Sequence, residues 1–432
     1  MKKRILCLLL CAVMLISVTG CGRHTSGRDQ GRPSTSARPG RGESERREEE
    51  RRPGRHSREP ETEEPVWAEP EEPRHQETQP QLRQTEPAET RRNTLPPEAY
   101  PQNNARFYYW REQLTGDTAE LYDGICLLAS DPYDTGRKVE FYTQIDPGTE
   151  EFKQQLLIAT IAVQYDHPEF FFLDPHAAEP DRKPAELQYL YWEKDSNGYR
   201  LEMQLENVHP QLPELIATFN AQAQAYLDMI DFSQPEAQVA RQIHDLLIWN
   251  VSYDYDVYEN EKDDYARTAY GALGSNTSGE AFRAVCSGYA LAYHYLLQQA
   301  GIMSIVVDGN TVEENGDSDR HAWNMVQVDG QWKEVDPTWD DADNHKEEAI
   351  AGPYGYIVEE AFNDPAYYEK ATHAYYMIST AQMEDYTAGE DMRFQYGNGW
   401  YMAMANWSSH RKTRQSEEYA SGWLMERAPV AY

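Results

Sequence analysis

The sequence predicts an α+β fold, in which a helix that carries a cysteine packs on an antiparallel sheet that carries a histidine and an aspartate. Three observations support this prediction. A helical pattern begins at Cys286, two strand-like runs flank Asp329-Gly330, and mainly helical patterns precede both. With 432 residues, of which 40% are hydrophobic and 12% aromatic, the chain can bury a substantial core.

The N-terminus has the features of an export signal. A basic start, "MKKR", is followed by the apolar run "ILCLLLCAVMLISV" and then by "TGC", which ends at Cys21. Small residues directly before a cysteine resemble a bacterial lipoprotein signal, in which Cys21 is lipidated and becomes the mature N-terminus. A plain signal peptide or a short membrane anchor is the alternative. We therefore expect residues 1–21 to be a signal and the mature chain to be anchored, through lipid on Cys21, on the extracytoplasmic side of a membrane.

A tether is expected after the signal. Residues 22–95 are rich in Arg, Glu, Pro, Gly and Ser and contain almost nothing apolar, so they cannot bury a core and are expected to be disordered. Residues 96–432 carry 57 acidic and 22 basic side chains. Such a surface repels other anionic polymers, so we expect no nucleic acid among the partners.

Residues 96–232 form a helix-rich N-terminal region in our interpretation. Apolar residues at helical spacing predict a helix that carries Cys126, and a second helix is expected to end near Pro168. The run that follows resembles two strands joined at Asn197-Gly198, and another helix closes the region. No chemical motif is present in this part of the chain.

A second domain is expected over residues 233–390, followed by a C-terminal extension at 391–432. The Ser233-x-x-Glu236 spacing is that of a capping box, which predicts a helix starting there and ending near Asn250. The chain then runs through a loop to Cys286.

Cys286 stands at the start of a predicted amphipathic helix that Gly301 ends as its C′ residue. The positive end of the helix dipole stabilises a thiolate, which lowers the pKa of the thiol and makes Cys286 a candidate nucleophile. Ser287 and Gly288 leave the approach to the sulfur open. Two alternatives remain: a buried structural cysteine, or a disulfide with Cys126.

A hairpin supplies the partner groups for this nucleophile. With Asp329 and Gly330 as the turn, cross-strand pairing places His321 on the same face as Asp336, its diagonal neighbour. His294 lies eight residues beyond Cys286 on the same helix, about 12 Å away, and is too distant to act as its base. A purely structural His–Asp pair is the alternative interpretation.

Three ordered blocks resemble bacterial transglutaminase-like proteins, a branch of the papain-like cysteine enzymes. They are "NVSYDYD", "AVCSGYALAYHYLLQQAGI" and "RHAWNMVQVDGQWKEVDPTWDD". The resemblance implies a papain/transglutaminase-like core with Cys286 as nucleophile, His321 as general base and acid, and Asp336 as the group that orients His321. It also suggests Tyr253 as an oxyanion donor beside the backbone N–H of Cys286, with a packing role as the alternative.

The implied activity is acyl transfer or hydrolysis on protein or peptide amides at the cell envelope, through a thioester on Cys286. No cofactor and no metal are expected. The acidic stretch before His321 lacks the spacing of a calcium loop. The alternative function is a non-catalytic binding module that keeps the same fold.

Overall fold

The structure, a computed structural model, describes most of the chain from residue 107 onward. The predicted signal, the lipidation site Cys21 and the predicted tether lie outside the described residues. The described residues are 107–134, 136–178, 183–191, 194, 196–312, 318–341, 369, 372–385, 393–396, 399–402, 409–414 and 420–432. Among them, no helix has both the length and the apolarity needed to cross a membrane.

Ten α-helices occur in the described residues. They are α1 (Tyr109–Gln113), α2 (Gly116–Ala129), α3 (Glu150–Asp166), α4 (Leu212–Leu227), α5 (Glu236–Asn250), α6 (Tyr255–Glu259), α7 (Ala269–Leu273), α8 (Cys286–Gln299), α9 (Thr380–Met383) and α10 (Ala420–Met425). Short 3-10 helices at Pro168–Leu173 and Tyr265–Arg267 connect some of them.

The described strands form one five-stranded sheet and three smaller pairings. They are β1 (Lys138–Thr143), β2 (Glu186–Tyr191), β3 (Tyr199–Glu206), β4 (Ser252–Tyr253), β5 (Arg283–Ala284), β6 (Met303–Val312), β7 (Ser318–Val328), β8 (Gln331–Val335), β9 (Tyr376–Ile378), β10 (Arg393–Tyr396), β11 (Gly399–Met402) and β12 (Ser409–Lys412). The five-stranded sheet has the order β12-β6-β7-β8-β9 and is antiparallel throughout.

This arrangement confirms the predicted α+β class. Helix α8 packs on β6 and β7 of the large sheet, and helices α5 and α7 contact it from other sides. All residues of α8 except Ser287 and Gln299 are buried, so it is a core helix and the prediction of an amphipathic helix is wrong. The helix ends as predicted, with Gly301 in a left-handed conformation at φ 78°.

The N-terminal region combines helices with a small sheet. The predicted helices appear as α2, α3 and α4. Helix α3 ends at Asp166, with His167 as its C-cap, just before Pro168. Strands β2 and β3 pair antiparallel as predicted, and β1, which the sequence analysis missed, completes a sheet of order β1-β3-β2.

The predicted capping box at Ser233 is wrong. Helix α5 begins at Glu236, and Pro235 at its N-cap makes no side-chain cap. The Ser233 hydroxyl and backbone N–H both donate to the carboxylate of Asp231, at 2.6 and 3.0 Å. Asp231 offers an acceptor two residues back, so Ser233 closes a turn before the helix instead of capping it.

The C-terminal residues belong to the same sheet as the hairpin. Strand β12 pairs antiparallel with β6, with His410 opposite Thr311. Helix α10 packs against α3 and β6, and Leu424 is completely buried there. The segment predicted as a C-terminal extension therefore supplies an edge strand and part of the hydrophobic core.

Candidate active site

Cys286 is the first residue of α8 and is almost completely buried. Short parallel pairing of β4 with β5 delivers the chain to it, and Val285 donates its N–H to the Ala266 carbonyl at 2.9 Å. A Cβ at Gly288 would lie 2.4 Å from that same carbonyl oxygen. Gly288 therefore lets the start of α8 pack closely on the neighbouring loop, which is a packing role and not the open approach that the sequence suggested.

Cys126 is a free thiol, so the alternative bridge between Cys126 and Cys286 is not formed. Nucleophilic chemistry at Cys286 requires the reduced form, because only a thiolate attacks a carbonyl carbon.

His321 and Asp336 are brought together as the hairpin predicted. Asp329 and Gly330 form the turn with φ of 51° and 75°, and the pairing of Val328 with Gln331 fixes the expected register. The Nε2 atom of His321 lies 2.6 Å from Oδ2 of Asp336. Because a carboxylate accepts, His321 carries its proton on Nε2, which leaves Nδ1 as the basic nitrogen.

Asp336 is completely buried yet fully satisfied by donors. Its Oδ1 accepts from the backbone N–H groups of Thr338 and Trp339, at 2.9 and 3.2 Å. Burial opposes ionisation, but the imidazoles of His321 and His410 hold the pKa of Asp336 well below its usual range. The group that orients His321 is therefore an ionised carboxylate.

His410 is a site residue that the sequence analysis missed. Its Nε2 lies 2.8 Å from the same Oδ2 of Asp336 that His321 contacts, and its ring packs edge-on against Trp339 and Trp323. Burial lowers the pKa of His410, so the ring is neutral, with its proton on Nε2. No local signal could have revealed it, since β12 lies more than 70 residues beyond Asp336 in the chain.

A small cavity lies between Cys286 and His321. Its volume is about 30 Å³, enough for one or two water molecules, and Cys286 and His321 both line it. Two arginines and two aspartates give it a polar wall: Arg267, Arg320, Asp174 and Asp308.

One wall of the cavity is a buried ion pair. Arg320 donates to both carboxylate oxygens of Asp308 at 2.5 Å, and Thr413 and Ser421 also donate to this carboxylate. Asp308 is therefore occupied by donors of the protein itself.

Gln164 offers an unused donor in the same cavity. Its Nε2 atom is buried and has no hydrogen-bond partner among the described residues. A buried donor without a hydrogen-bond partner destabilises the folded protein. This makes the Gln164 amide a candidate for binding a ligand in the cavity. Gln164 lies on α3, outside the region in which the sequence analysis sought an oxyanion donor.

Tyr253 lies on β4, paired with Ala284 two residues before Cys286. Its ring packs against Tyr255 and Tyr258, and it is not among the residues that line the described cavity. Burial raises the pKa of its phenol well above 10, so the group stays a neutral donor.

A cysteine at a helix N-terminus thus shares one cavity with the histidine of a His–Asp pair on the adjacent sheet. Residues 224–337 match the model of a family described as the transglutaminase-like superfamily. The chain thus contains a transglutaminase-like superfamily domain. All three site residues lie inside the matched segment, whereas His410 and Gln164 lie outside it.

Three solved structures show weak similarity. They are a candidate cysteine protease from Cytophaga hutchinsonii (13% identity, TM-score 0.20, 36% of this chain and 64% of that chain), a TGase (14%, 0.23, 55% and 58%) and the periplasmic domain of TgpA from Pseudomonas aeruginosa bound to ethylmercury (18%, 0.20, 33% and 55%). This chain therefore spans less than two thirds of the length of the solved chains that it matches. Comparison with curated proteins gives no match.

Proposed function

We propose that this protein is a transglutaminase-like cysteine enzyme that transfers or hydrolyses acyl groups of protein or peptide amides. The observation that carries the proposal is the shared cavity of Cys286 and His321, with Asp336 fixing the tautomer of His321 from behind. This arrangement supplies a nucleophile, a base and an orienting carboxylate in the order that thiol catalysis needs.

The reaction proceeds in two steps once Cys286 is reduced. Nδ1 of His321 takes the thiol proton, the thiolate attacks the amide carbonyl, and the C–N bond breaks as His321 returns the proton to the departing amine. The thioester on Cys286 is then attacked by a second amine or by water, whose proton His321 accepts. Release of the acyl product regenerates the thiol.

The oxyanion of each tetrahedral intermediate needs donors in the cavity. The backbone N–H of Cys286 is one candidate, because it stands at the positive N-terminal end of α8. Nε2 of Gln164 is a second candidate because it is buried, unpartnered and part of the cavity wall. The phenol of Tyr253 is a third candidate from the family resemblance, although it does not line the described cavity.

The location of this chemistry rests on the N-terminal sequence. The signal-like residues 1–21 support export and a lipid anchor on Cys21, and the composition of 22–95 supports a flexible tether between membrane and enzyme. Metabolic labelling with a fatty acid tests the anchor: label should be lost in Cys21→Ala, and label that persists in this variant would contradict it.

An acceptor experiment tests the proposed activity. Reduced protein is incubated with a peptide amide, with and without a primary amine, and the products are separated by mass. Wild type should yield an amine-exchanged product or an acid, and His321→Ala should yield neither while keeping its circular dichroism spectrum. A folded, reduced wild type that produces neither product would favour the non-catalytic binding module.

A further inference from the structure

A second histidine–carboxylate cluster lies away from the cavity, where helix α5 meets the segment before β9. His244 and Asp245 are neighbours on α5, and His373 approaches from the chain between Thr372 and Tyr376. Nδ1 of His244 lies 3.0 Å from Oδ1 of Asp245, and Nε2 of His373 lies 2.8 Å from the same oxygen. These three atoms all lie within 4.8 Å of one another.

The far side of each imidazole is held by an acceptor. Nε2 of His244 contacts Oδ2 of the buried Asp340 at 3.2 Å, and Nδ1 of His373 contacts the Glu369 carbonyl oxygen at 2.9 Å. Both acceptors require a proton on the nitrogen that they contact. Metal-binding histidines characteristically donate their other N–H to a carboxylate or a backbone carbonyl, because this fixes the tautomer and the ring orientation.

One nitrogen of each ring and one carboxylate oxygen converge at the centre of the cluster. Nδ1 of His244 and Nε2 of His373 lie 3.0 and 2.8 Å from the same oxygen, Oδ1 of Asp245. A cation bound by these three atoms would neutralise the carboxylate and fix both rings. By contrast, Nδ1 of His410 in the cluster around Asp336 has no hydrogen-bond partner among the described residues.

Charged side chains surround the three proposed ligand atoms. Arg241 contacts the other carboxylate oxygen of Asp245, Oδ2, through its Nε at 3.5 Å and also pairs with Glu369. The Glu369 carboxylate lies 4.0 Å from Nδ1 of His373 and adds negative charge nearby. The rings of Tyr293 and Tyr376 pack against His244 without adding charge.

The cluster is partly exposed to solvent. The His244 side chain is completely buried, whereas those of His373 and Asp245 are 14% and 42% exposed. An ion can therefore enter past Asp245, and a water molecule can take the fourth position of a tetrahedral site. Two imidazole nitrogens with one carboxylate oxygen suit zinc, whereas calcium prefers six to eight oxygen ligands.

We propose that His244, Asp245 and His373 form a zinc-binding site. The site is separate from the Cys–His–Asp site, and its ion would join α5 to the segment before β9. It also contacts the loop after Asp336, because Asp340 holds His244 and donates its backbone N–H to the Asp336 carbonyl at 3.0 Å. Bound zinc would therefore stabilise the fold around this loop.

Zinc binding is measured on the full chain carrying Cys286→Ser, which removes the thiol of the cavity as a ligand. Adding Zn²⁺ should raise the melting temperature by a few degrees, and Co²⁺ should give visible bands of a tetrahedral nitrogen–oxygen site without a thiolate charge-transfer band. His373→Asn and Asp245→Asn, both at partly exposed positions, should each weaken this binding by at least about 100-fold.

A matched control excludes the other histidine–carboxylate cluster. His410→Asn, in the same Cys286→Ser chain, should leave the zinc-induced rise and the cobalt spectrum unchanged. The proposal is overturned if zinc stabilises the His373→Asn chain as much as its parent. It is also overturned if the parent binds no zinc. None of these outcomes depends on catalytic activity, so the zinc site and the proposed function fail or stand separately.

Discussion

The imidazoles of His321 and His410 donate to a single oxygen of Asp336, at 2.6 and 2.8 Å. This shared acceptor keeps a buried carboxylate ionised and directs Nδ1 of His321 away from it. The proposed catalytic base is therefore oriented by a carboxylate that is itself held in place by a second histidine.

Replacing the Asp336 carboxylate should slow the reaction while leaving the fold intact. In Asp336→Asn, the carboxamide still accepts from the backbone N–H of Thr338 or Trp339, but its NH₂ group faces His321 and favours the wrong tautomer. We expect acyl-enzyme formation to slow by roughly 10³- to 10⁴-fold. Single-turnover kinetics on folded, reduced protein measures this, and a rate within tenfold of wild type would show that Asp336 has only a structural role.

Removing the second histidine should change the pH profile. Without His410, the Asp336 carboxylate has one imidazole donor fewer and interacts more strongly with a protonated His321. In His410→Phe we expect the acid limb of the pH dependence of kcat/KM to move upward by about one pH unit, with a lower plateau. His410→Gln, which retains an N–H donor, should restore part of the acid-limb position and part of the plateau. An unchanged acid limb in a folded His410→Phe chain would show that His410 has only a packing role.

The contact between residues of one hairpin was predictable from the sequence, whereas the contacts made by residues from distant elements were not. The Asp329-Gly330 turn fixes the hairpin register, so the pairing of His321 with Asp336 followed from alternation alone. His410 and Gln164 reach the site from distant elements, and neither carries a local pattern. The helix that bears Cys286 is buried on nearly all sides because its neighbours cover it, which the periodicity of one segment does not reveal.

Two substitutions distinguish the oxyanion donors. If Nε2 of Gln164 stabilises the tetrahedral intermediate, Gln164→Ala should lower kcat by about 10²- to 10³-fold with a much smaller effect on KM. Tyr253→Phe, which keeps the packing against Tyr255 and Tyr258, should then have little effect. Steady-state kinetics on both variants decides between them, and the reverse pattern would assign the role to Tyr253.

Glu334, on the strand that leads to Asp336, has a network of contacts of its own. It is completely buried and accepts from Nε1 of Trp323 at 2.8 Å and from the Thr380 hydroxyl at 2.6 Å, with Lys412 nearby at 3.1 Å. Trp323 in turn lies nearly parallel to the His321 ring. We therefore expect Glu334→Gln to destabilise the fold and to loosen the packing beside His321.

The expected loss is roughly 1–3 kcal/mol of unfolding free energy, because one buried donor loses its acceptor. Chemical denaturation measures it, and Gln331→Ala on the exposed part of the same strand is the control that should change little. Equal stability of Glu334→Gln and wild type would mean that these contacts contribute nothing.

The central claim is that reduced Cys286 forms a thioester, and peptide mapping by mass spectrometry tests it most directly. Full-length protein is reduced, mixed with an activated peptide ester, quenched in acid and digested. We expect an acyl adduct on Cys286 that hydroxylamine removes and that is absent from Cys286→Ser and His321→Ala. A folded, fully reduced protein that carries no adduct on Cys286, or that acylates Cys126 equally well, would contradict it.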